Sequence, residues 1–176
     1  KMANVMKAFK YVFVLASATD IERLASIKNA ALEAKKTLYV CSKFMASTMT
    51  FFTERESELS HGLFNFSPRM LRLNGLKRIK KKGFVLVAGT SQISRVEELL
   101  KELPIEETLL VYSSWEGYYT IPEQVDANPG YKEFRELFCN VIDIHTSGHA
   151  DRATILKAIK TINPKEVIVI HKDGAS

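Results

Sequence analysis

Cysteine is scarce in this sequence, and we find neither a long apolar run nor a secretion signal. The two cysteines, Cys41 and Cys139, stand 98 positions apart, and each ends or follows a short apolar run. We therefore expect buried free thiols in a reducing cytoplasm rather than a disulfide framework. No run approaches the roughly 18 consecutive apolar residues of a membrane span, and residues 1–7 hold no apolar segment before a cleavage site. We expect a cytoplasmic protein that does not enter a membrane.

A nucleotide-binding P-loop is also missing. Gly89-Thr90-Ser91 follows an apolar run but lacks the lysine that such a loop requires. This absence argues against an ATPase. No internal repeat interrupts the sequence, and 176 residues suffice for one well-buried core, or for one domain and part of another.

The net charge of +5 hides an asymmetry between the two halves. Residues 1–83 hold 16 Lys and Arg against 6 Asp and Glu, a net charge of +10, whereas residues 84–176 hold 9 against 14, a net charge of −5. Much of the excess lies in the segment 69–82, which includes Lys80, Lys81 and Lys82. Such a segment can neutralise phosphates and release counterions, but it is also typical of a solvated, lysine-rich helix end.

Short apolar runs alternate with helical patterns along the chain. Strands are predicted at 11–16, 37–41, 84–88, 108–112, 140–144 and 167–170. Helices are predicted from Asp20 to about 36, then at 43–54, 73–82, 94–102, 131–138 and 151–162. Residues 113–129 form a predicted polar loop, and 55–72 show no clear pattern. This alternation predicts an α/β fold, Rossmann-like, with a mostly parallel sheet and helices on both faces.

Polar residues follow five of the predicted strands. The segments are Ser17-Ala18-Thr19-Asp20, Gly89-Thr90-Ser91-Gln92, Ser113 to Tyr118, His145 to Ala150, and His171-Lys172-Asp173-Gly174. In parallel sheets, ligands bind beyond the carboxyl ends of the strands. The pattern favours an anionic ligand there, although loops are polar in most proteins.

The segment His145-Thr146-Ser147-Gly148-His149-Ala150, followed by a helix, Asn163-Pro164-Lys165, an apolar strand and His171, resembles the closing segment of β-CASP metallo-β-lactamases. That family includes ribonuclease J and the cleavage-and-polyadenylation endonuclease. The resemblance extends over most of the chain. Ser17 to Arg23 is similar to the first strand–helix turn of the β-CASP lobe, and Tyr112 to Tyr118 is similar to a serine, tryptophan, glycine-tyrosine loop of bacterial members.

The resemblance implies a zinc-dependent hydrolase that cleaves RNA phosphodiester bonds through two zinc ions. By the resemblance, His149 is a catalytic histidine near the scissile phosphate and His171 is a zinc ligand. Contacts with phosphate or RNA are expected from the following residues: Thr146, Ser147, Ser17, Asp20, Arg23, Lys80, Lys81 and Lys82. Asp20 and Arg23 could equally form a charge pair at the start of the helix. His61 and His145 are expected to be ordinary loop residues. Trp115 and Tyr118 could stack on a base or pack between lobes.

The resemblance also implies two domains. Residues 1–138 would be the β-CASP domain, with its start truncated, and 139–176 a final strand–helix–strand of the metallo-β-lactamase domain. The family's histidine-x-histidine-x-aspartate-histidine zinc motif is missing from this sequence. We therefore expect a fragment that lacks its N-terminal metallo-β-lactamase half, is inactive by itself and does not bind zinc stably.

Two other functions stay open at this point. The first is a nucleic-acid-binding α/β module without catalysis, and the second is an α/β fold that binds a small anion. The sequence also leaves open whether the substrate is RNA or DNA and whether cleavage is endonucleolytic or exonucleolytic. The polarity of cleavage and the oligomeric state, which could be a homodimer, stay open as well.

Overall fold

The computed structural model describes residues 1–57, 60–71, 75–145 and 152–168. The chain forms two compact units, Lys1–His145 and Thr146–Ser176, which are described separately below. Within the described residues, no helix combines the length and the apolar character needed to cross a membrane.

The first unit is built on a sheet of five parallel strands. They are β1 Tyr11–Leu15, β2 Leu38–Val40, β3 Phe84–Ala88, β4 Thr108–Tyr112 and β5 Val141–Asp143. Their order across the sheet is β2-β3-β1-β4-β5, and every pairing is parallel. The predicted α/β fold with a parallel sheet is confirmed. Strands β1, β3 and β4 are buried along their whole length, which explains why their sequences are continuous apolar runs.

Helices cover both faces of this sheet. Those of the first unit are α1 Met2–Ala8, α2 Ile21–Glu33, α3 Lys43–Glu54, α4 Leu76–Ile79, α5 Ile93–Leu100, α6 Gly117–Thr120, α7 Pro122–Ala127 and α8 Pro129–Glu136. The Asp20 and Ser42 side chains cap α2 and α3 by accepting hydrogen bonds from the main-chain N–H three residues on. The described part of the second unit contains helix α9, Arg152–Ile162.

Alternation along the central strands divides the core into two layers. Val12 and Val14 of β1 pack with Leu24 and Ile27 of α2 on one face. Phe13 lies on the opposite face, in the same cluster as α5 and α8 side chains. Helix α2, which follows β1, and helices α5 and α8, which follow β3 and β4, therefore cover opposite faces of the sheet.

Several local predictions need correction. Cys41 is buried and free as expected, but Cys139 is exposed and free, because it follows α8 at the surface before β5 begins. The predicted polar loop 113–129 contains α6, α7 and the first residue of α8. The helix predicted at 73–82 is helical at 76–79, and its residues 73–74 lie outside the described residues. Val167 and Ile168 of the predicted last strand are not in a strand, and 169–170 are outside the described residues.

The predicted domain boundary after residue 138 stays a prediction. β5 pairs with β4 in the sheet of the first unit, and the compact units divide after His145.

Candidate nucleic-acid interface

The carboxyl ends of the five parallel strands share one edge of the sheet. Neighbouring strands β1 and β3 send their following helices to opposite faces, and so do β1 and β4. Such reversals open crevices at the strand ends, where ligands of α/β folds bind. Two crevices therefore flank the end of β1, one toward β4 and one toward β3.

Arg23 lies at the first crevice, between β1 and β4. Its main-chain N–H donates to Asp20 Oδ1 over 3.0 Å, and its Nε lies 3.6 Å from Asp20 Oδ2. Its Nη1 donates to Ser113 Oγ over 3.2 Å. The Arg23 side chain is only 11% exposed, whereas that of Asp20 is 48% exposed. The charge pair of Asp20 and Arg23 at the start of α2 is thus present, and together with Ser113 it holds Arg23 in one orientation at the sheet edge.

Ser113 joins three strand ends at this crevice. Its N–H donates to the Leu15 carbonyl of β1 over 3.1 Å, and its Oγ donates to the carbonyl of Ile144, just after β5, over 2.9 Å. Ser113 is one of the few buried polar residues, with 4% exposure. Ser113 was predicted to begin a polar segment at a strand end but was not chosen as a site residue. Its position directly after a fully apolar strand was the available signal.

His145 extends the same cluster. Partial burial lowers its pKa from the ordinary 6.5, and the Arg23 guanidinium lowers it further, while a hydrogen bond with the Ser113 main chain and the Asp20 carboxylate act in the opposite direction. We define Asp20, Arg23, Ser113 and His145 as the β1–β4 cluster. His145 was expected to be an ordinary loop residue, yet its imidazole lies in the electrostatic environment of Arg23.

The second crevice is a cavity of about 230 Å³ between β1 and β3, here named the β1–β3 cavity. Its lining combines hydroxyl, amide, aromatic and aliphatic groups. The lining residues are Leu15, Ala16, Ser17, Ala18, Ser42, Phe44, Met45, Gly89, Thr90, Ser91, Gln92 and Tyr131. Ser17 Oγ lies 2.8 Å from Thr19 Oγ1 and accepts from the Thr19 N–H over 3.2 Å, so Ser17 belongs to the turn that leads from this cavity to Asp20.

Three aromatic rings run from the end of β4 to this cavity. Trp115 contacts Tyr118 edge to face, with ring centroids 5.5 Å apart. Tyr118 stacks on Tyr131 at 4.3 Å and 14°. Gly117 permits this arrangement because a Cβ there would lie 2.4 Å from the Trp115 ring. These contacts all lie within the first unit, so base stacking and packing between lobes both stay predictions for Trp115 and Tyr118, and Trp115 keeps 44% exposure.

One family model matches the chain. Residues 136–173 match the RNA specificity domain of Zn-dependent metallo-hydrolases. The match indicates a relation to Zn-dependent RNA-processing metallo-hydrolases, and a domain of this kind implies an RNA substrate. No curated protein matches the chain.

The RNA specificity domain match begins in α8 and takes in β5, His145 and α9. It therefore includes the end of β5, where the Ile144 carbonyl accepts a hydrogen bond from Ser113 Oγ. The β1–β4 cluster is built partly from this matched segment and partly from the preceding residues.

Four predicted site residues lie outside the described residues: Thr146, Ser147, His149 and His171. Among the residues that the structure does describe, no three His, Cys, Asp or Glu side chains are grouped so that they could hold a metal ion. The donor set of the described part does not fit a zinc site.

The structure separates the predicted lysine cluster from the predicted RNA contacts Ser17, Asp20 and Arg23. Lys80, Lys81 and Lys82 come just before β3, and the Lys80 carbonyl accepts from the Tyr11 hydroxyl at the start of β1. Lys80 Nζ also lies 3.1 Å from Glu102 Oε2. These lysines are at the amino edge of the sheet, whereas Ser17, Asp20 and Arg23 are at the carboxyl edge. The two edges are about 16 Å apart, which is the length of a five-residue strand.

Proposed function

We propose that this chain is part of a Zn-dependent metallo-hydrolase that cleaves RNA phosphodiester bonds. In this proposal residues 1–138 are the β-CASP lobe, which lies along the RNA. The following segment contains His149 and His171, the two histidines that the resemblance assigns to the active site. The RNA specificity domain match at residues 136–173 supports the proposal.

The observation that carries the proposal is the hydrogen bond from Ser113 Oγ to the Ile144 carbonyl, 2.9 Å long. It ties Ile144, directly before His145, to the same sheet edge as Arg23. A phosphate bound by Arg23 would therefore lie near Ile144 and His145.

Arg23 suits a phosphate contact because its guanidinium is oriented by Asp20 and Ser113 and always charged. The Ser17 hydroxyl would add a neutral contact. In the same proposal Thr146 and Ser147 contact the phosphate, and His149 donates a proton to the leaving oxygen, a role worth roughly 10²–10⁴-fold in rate.

Zinc would need more ligands than His171 alone provides. His171 is the proposed zinc ligand, and a catalytic zinc is held by three or more protein ligands. The described residues do not supply such a set, and in this proposal the further ligands belong to the family's histidine-x-histidine-x-aspartate-histidine motif, which this sequence lacks. We expect the 176-residue chain by itself to be inactive and to lose zinc to a chelator.

Zinc content and RNA cleavage by the complete protein test the proposal. His171→Ala should lower both, because it removes a ligand. His149→Ala should keep the zinc and lower turnover by roughly 10²–10⁴-fold. His61→Ala is the matched control and should change neither. Full activity of His149→Ala would overturn the assigned role, and RNA binding without any cleavage by the complete protein would favour the non-catalytic binding module.

A further inference from the structure

The β1–β3 cavity differs chemically from the β1–β4 cluster beside it. None of its lining residues in the described part of the chain carries a charge, whereas the neighbouring cluster contains Arg23, Asp20 and His145. A site without cations is poorly suited to a phosphate, which is best recognised by charge-assisted hydrogen bonds. The cavity therefore favours an uncharged ligand that forms hydrogen bonds.

The polar groups of the cavity come from three separate chain segments. Ser17 follows β1, Ser42 precedes α3, and Thr90 and Gln92 follow β3. Hydroxyls can both donate and accept, and a carboxamide offers one acceptor and two donors. Gln92 Oε1 already accepts from the Gly89 N–H over 2.9 Å, which fixes the orientation of this amide. These groups can form hydrogen bonds with the polar edge of a planar heterocycle.

Aromatic groups complete the cavity wall. Tyr131 lines it and is fixed by stacking on Tyr118. Phe44 also lines it, yet this side chain is 64% exposed. A single exposed phenylalanine is unremarkable by itself, but here it borders a cavity that offers uncharged hydrogen-bonding groups. Bases of single-stranded nucleic acid bind by stacking on such rings.

We infer that the β1–β3 cavity binds a nucleobase. This inference rests on the proposed function in so far as the base belongs to an RNA strand, and a free nucleoside has the same chemistry. Adjacent strands are roughly 4.8 Å apart, so a base in the cavity and a phosphate at Arg23 lie one strand apart, on either side of β1. Ser17 stands between the two sites because it lines the cavity and contacts Thr19, next to Asp20.

The test compares two ligands and two phenylalanines of helix α3. The ligands are a short single-stranded RNA and a strand of the same length and charge that lacks its bases. Phe44→Ala removes a cavity ring, and its exposure means that the core is not disturbed. Phe51→Ala is the matched control, because Phe51 is on the same helix, is 50% exposed and does not line the cavity. Affinities are measured by fluorescence anisotropy of the full 176-residue chain, with circular dichroism to confirm folding.

Phe44→Ala should weaken binding of the base-bearing RNA by about fivefold or more and leave binding of the abasic strand unchanged. Phe51→Ala should change neither. Competition by adenosine or uridine that also depends on Phe44 would assign the cavity to free nucleosides as well as to RNA bases. Equal binding of both strands by the wild-type chain would overturn the inference while leaving the RNA proposal intact. Binding of no strand and no nucleoside would overturn both.

Discussion

Arg23 and Ser113 are 90 positions apart in the chain, yet Arg23 Nη1 donates a hydrogen bond to Ser113 Oγ over 3.2 Å. The pairing of β1 with β4 brings them together, since Leu15 at the end of β1 lies beside Tyr112 at the end of β4. Ser113 Oγ in turn donates a hydrogen bond to the Ile144 carbonyl, just after β5. Ser113 thus aligns three strand ends through its main-chain N–H and its hydroxyl, and the hydroxyl also orients the cation that we propose to bind phosphate.

Ser113→Ala should destabilise the first unit. The substitution removes a buried donor and leaves the Ile144 carbonyl without this partner, which costs about 1–3 kcal/mol in the free energy of unfolding. Urea denaturation followed by circular dichroism measures the change. Ser114→Ala, a half-buried neighbour, is the control and should alter the unfolding free energy by less than about 0.5 kcal/mol. Equal effects of the two substitutions would contradict the role of Ser113.

Arg23→Gln should weaken single-stranded RNA binding and reduce its dependence on salt. Loss of one phosphate contact lowers the slope of log affinity against log salt by about 1. Arg55→Gln removes the same charge at the end of α3, where the Arg55 side chain is well exposed. This control should keep the wild-type slope. An unchanged slope for Arg23→Gln would exclude Arg23 from the interface.

RNA affinity should rise as the pH falls below the ordinary histidine value of 6.5. His145 has a lowered pKa because of partial burial and the nearby Arg23, with Asp20 opposing. It is therefore neutral at pH 7 and becomes cationic only as the pH falls through that lowered pKa. The unfolded chain takes up this proton more readily, so the stability of the fold decreases over the same interval. His145→Gln should flatten the affinity profile, and an identical rise in that variant would contradict the prediction.

The lysine cluster and the β1–β4 cluster should respond to RNA length in different ways. Because they lie at opposite edges of the sheet, a trinucleotide can occupy only one of them. Replacing Lys80, Lys81 and Lys82 with Ala should weaken binding of an RNA several times longer than a trinucleotide. The same replacement should leave the affinity for the trinucleotide unchanged. Arg23→Gln should weaken both. Loss of trinucleotide binding in the triple variant would place the short ligand at the amino edge.

The parallel sheet could be predicted because its central strands are buried on both faces. The bounds of β3 and β4 were predicted without error, since continuous apolar runs such as Phe84–Ala88 have clear ends. The region 113–129 was misread because α6 and α7 have only four and six residues, too few to show a helical period. Pro122 and Pro129, each at the start of a helix, were the overlooked signals.

The candidate site was predictable only in part. Ser17 and Asp20 belong to the polar segment that follows the first apolar run, and Arg23 was predicted by the resemblance. The structure places Asp20 and Arg23 in contact, with Ser17 in the turn before them. The role of Ser113 and the position of His145 depend on β4 lying beside β1, and strand order cannot be derived from the apolar pattern. Lys80 lies at the amino edge of the sheet, opposite Arg23, because it precedes β3. Composition alone does not show this, since it does not give the direction of the strand.

Photocrosslinking tests most directly the central claim that RNA lies along the carboxyl edge of this sheet. A single-stranded RNA with photoreactive bases is bound to the 176-residue chain and irradiated, and the crosslinked peptides are identified by mass spectrometry. We predict crosslinks in the peptides that contain Ser17–Arg23, Phe44 and Thr90–Gln92, and their loss at high salt. Crosslinks confined to α1 or to the amino edge around Lys80 would contradict the account.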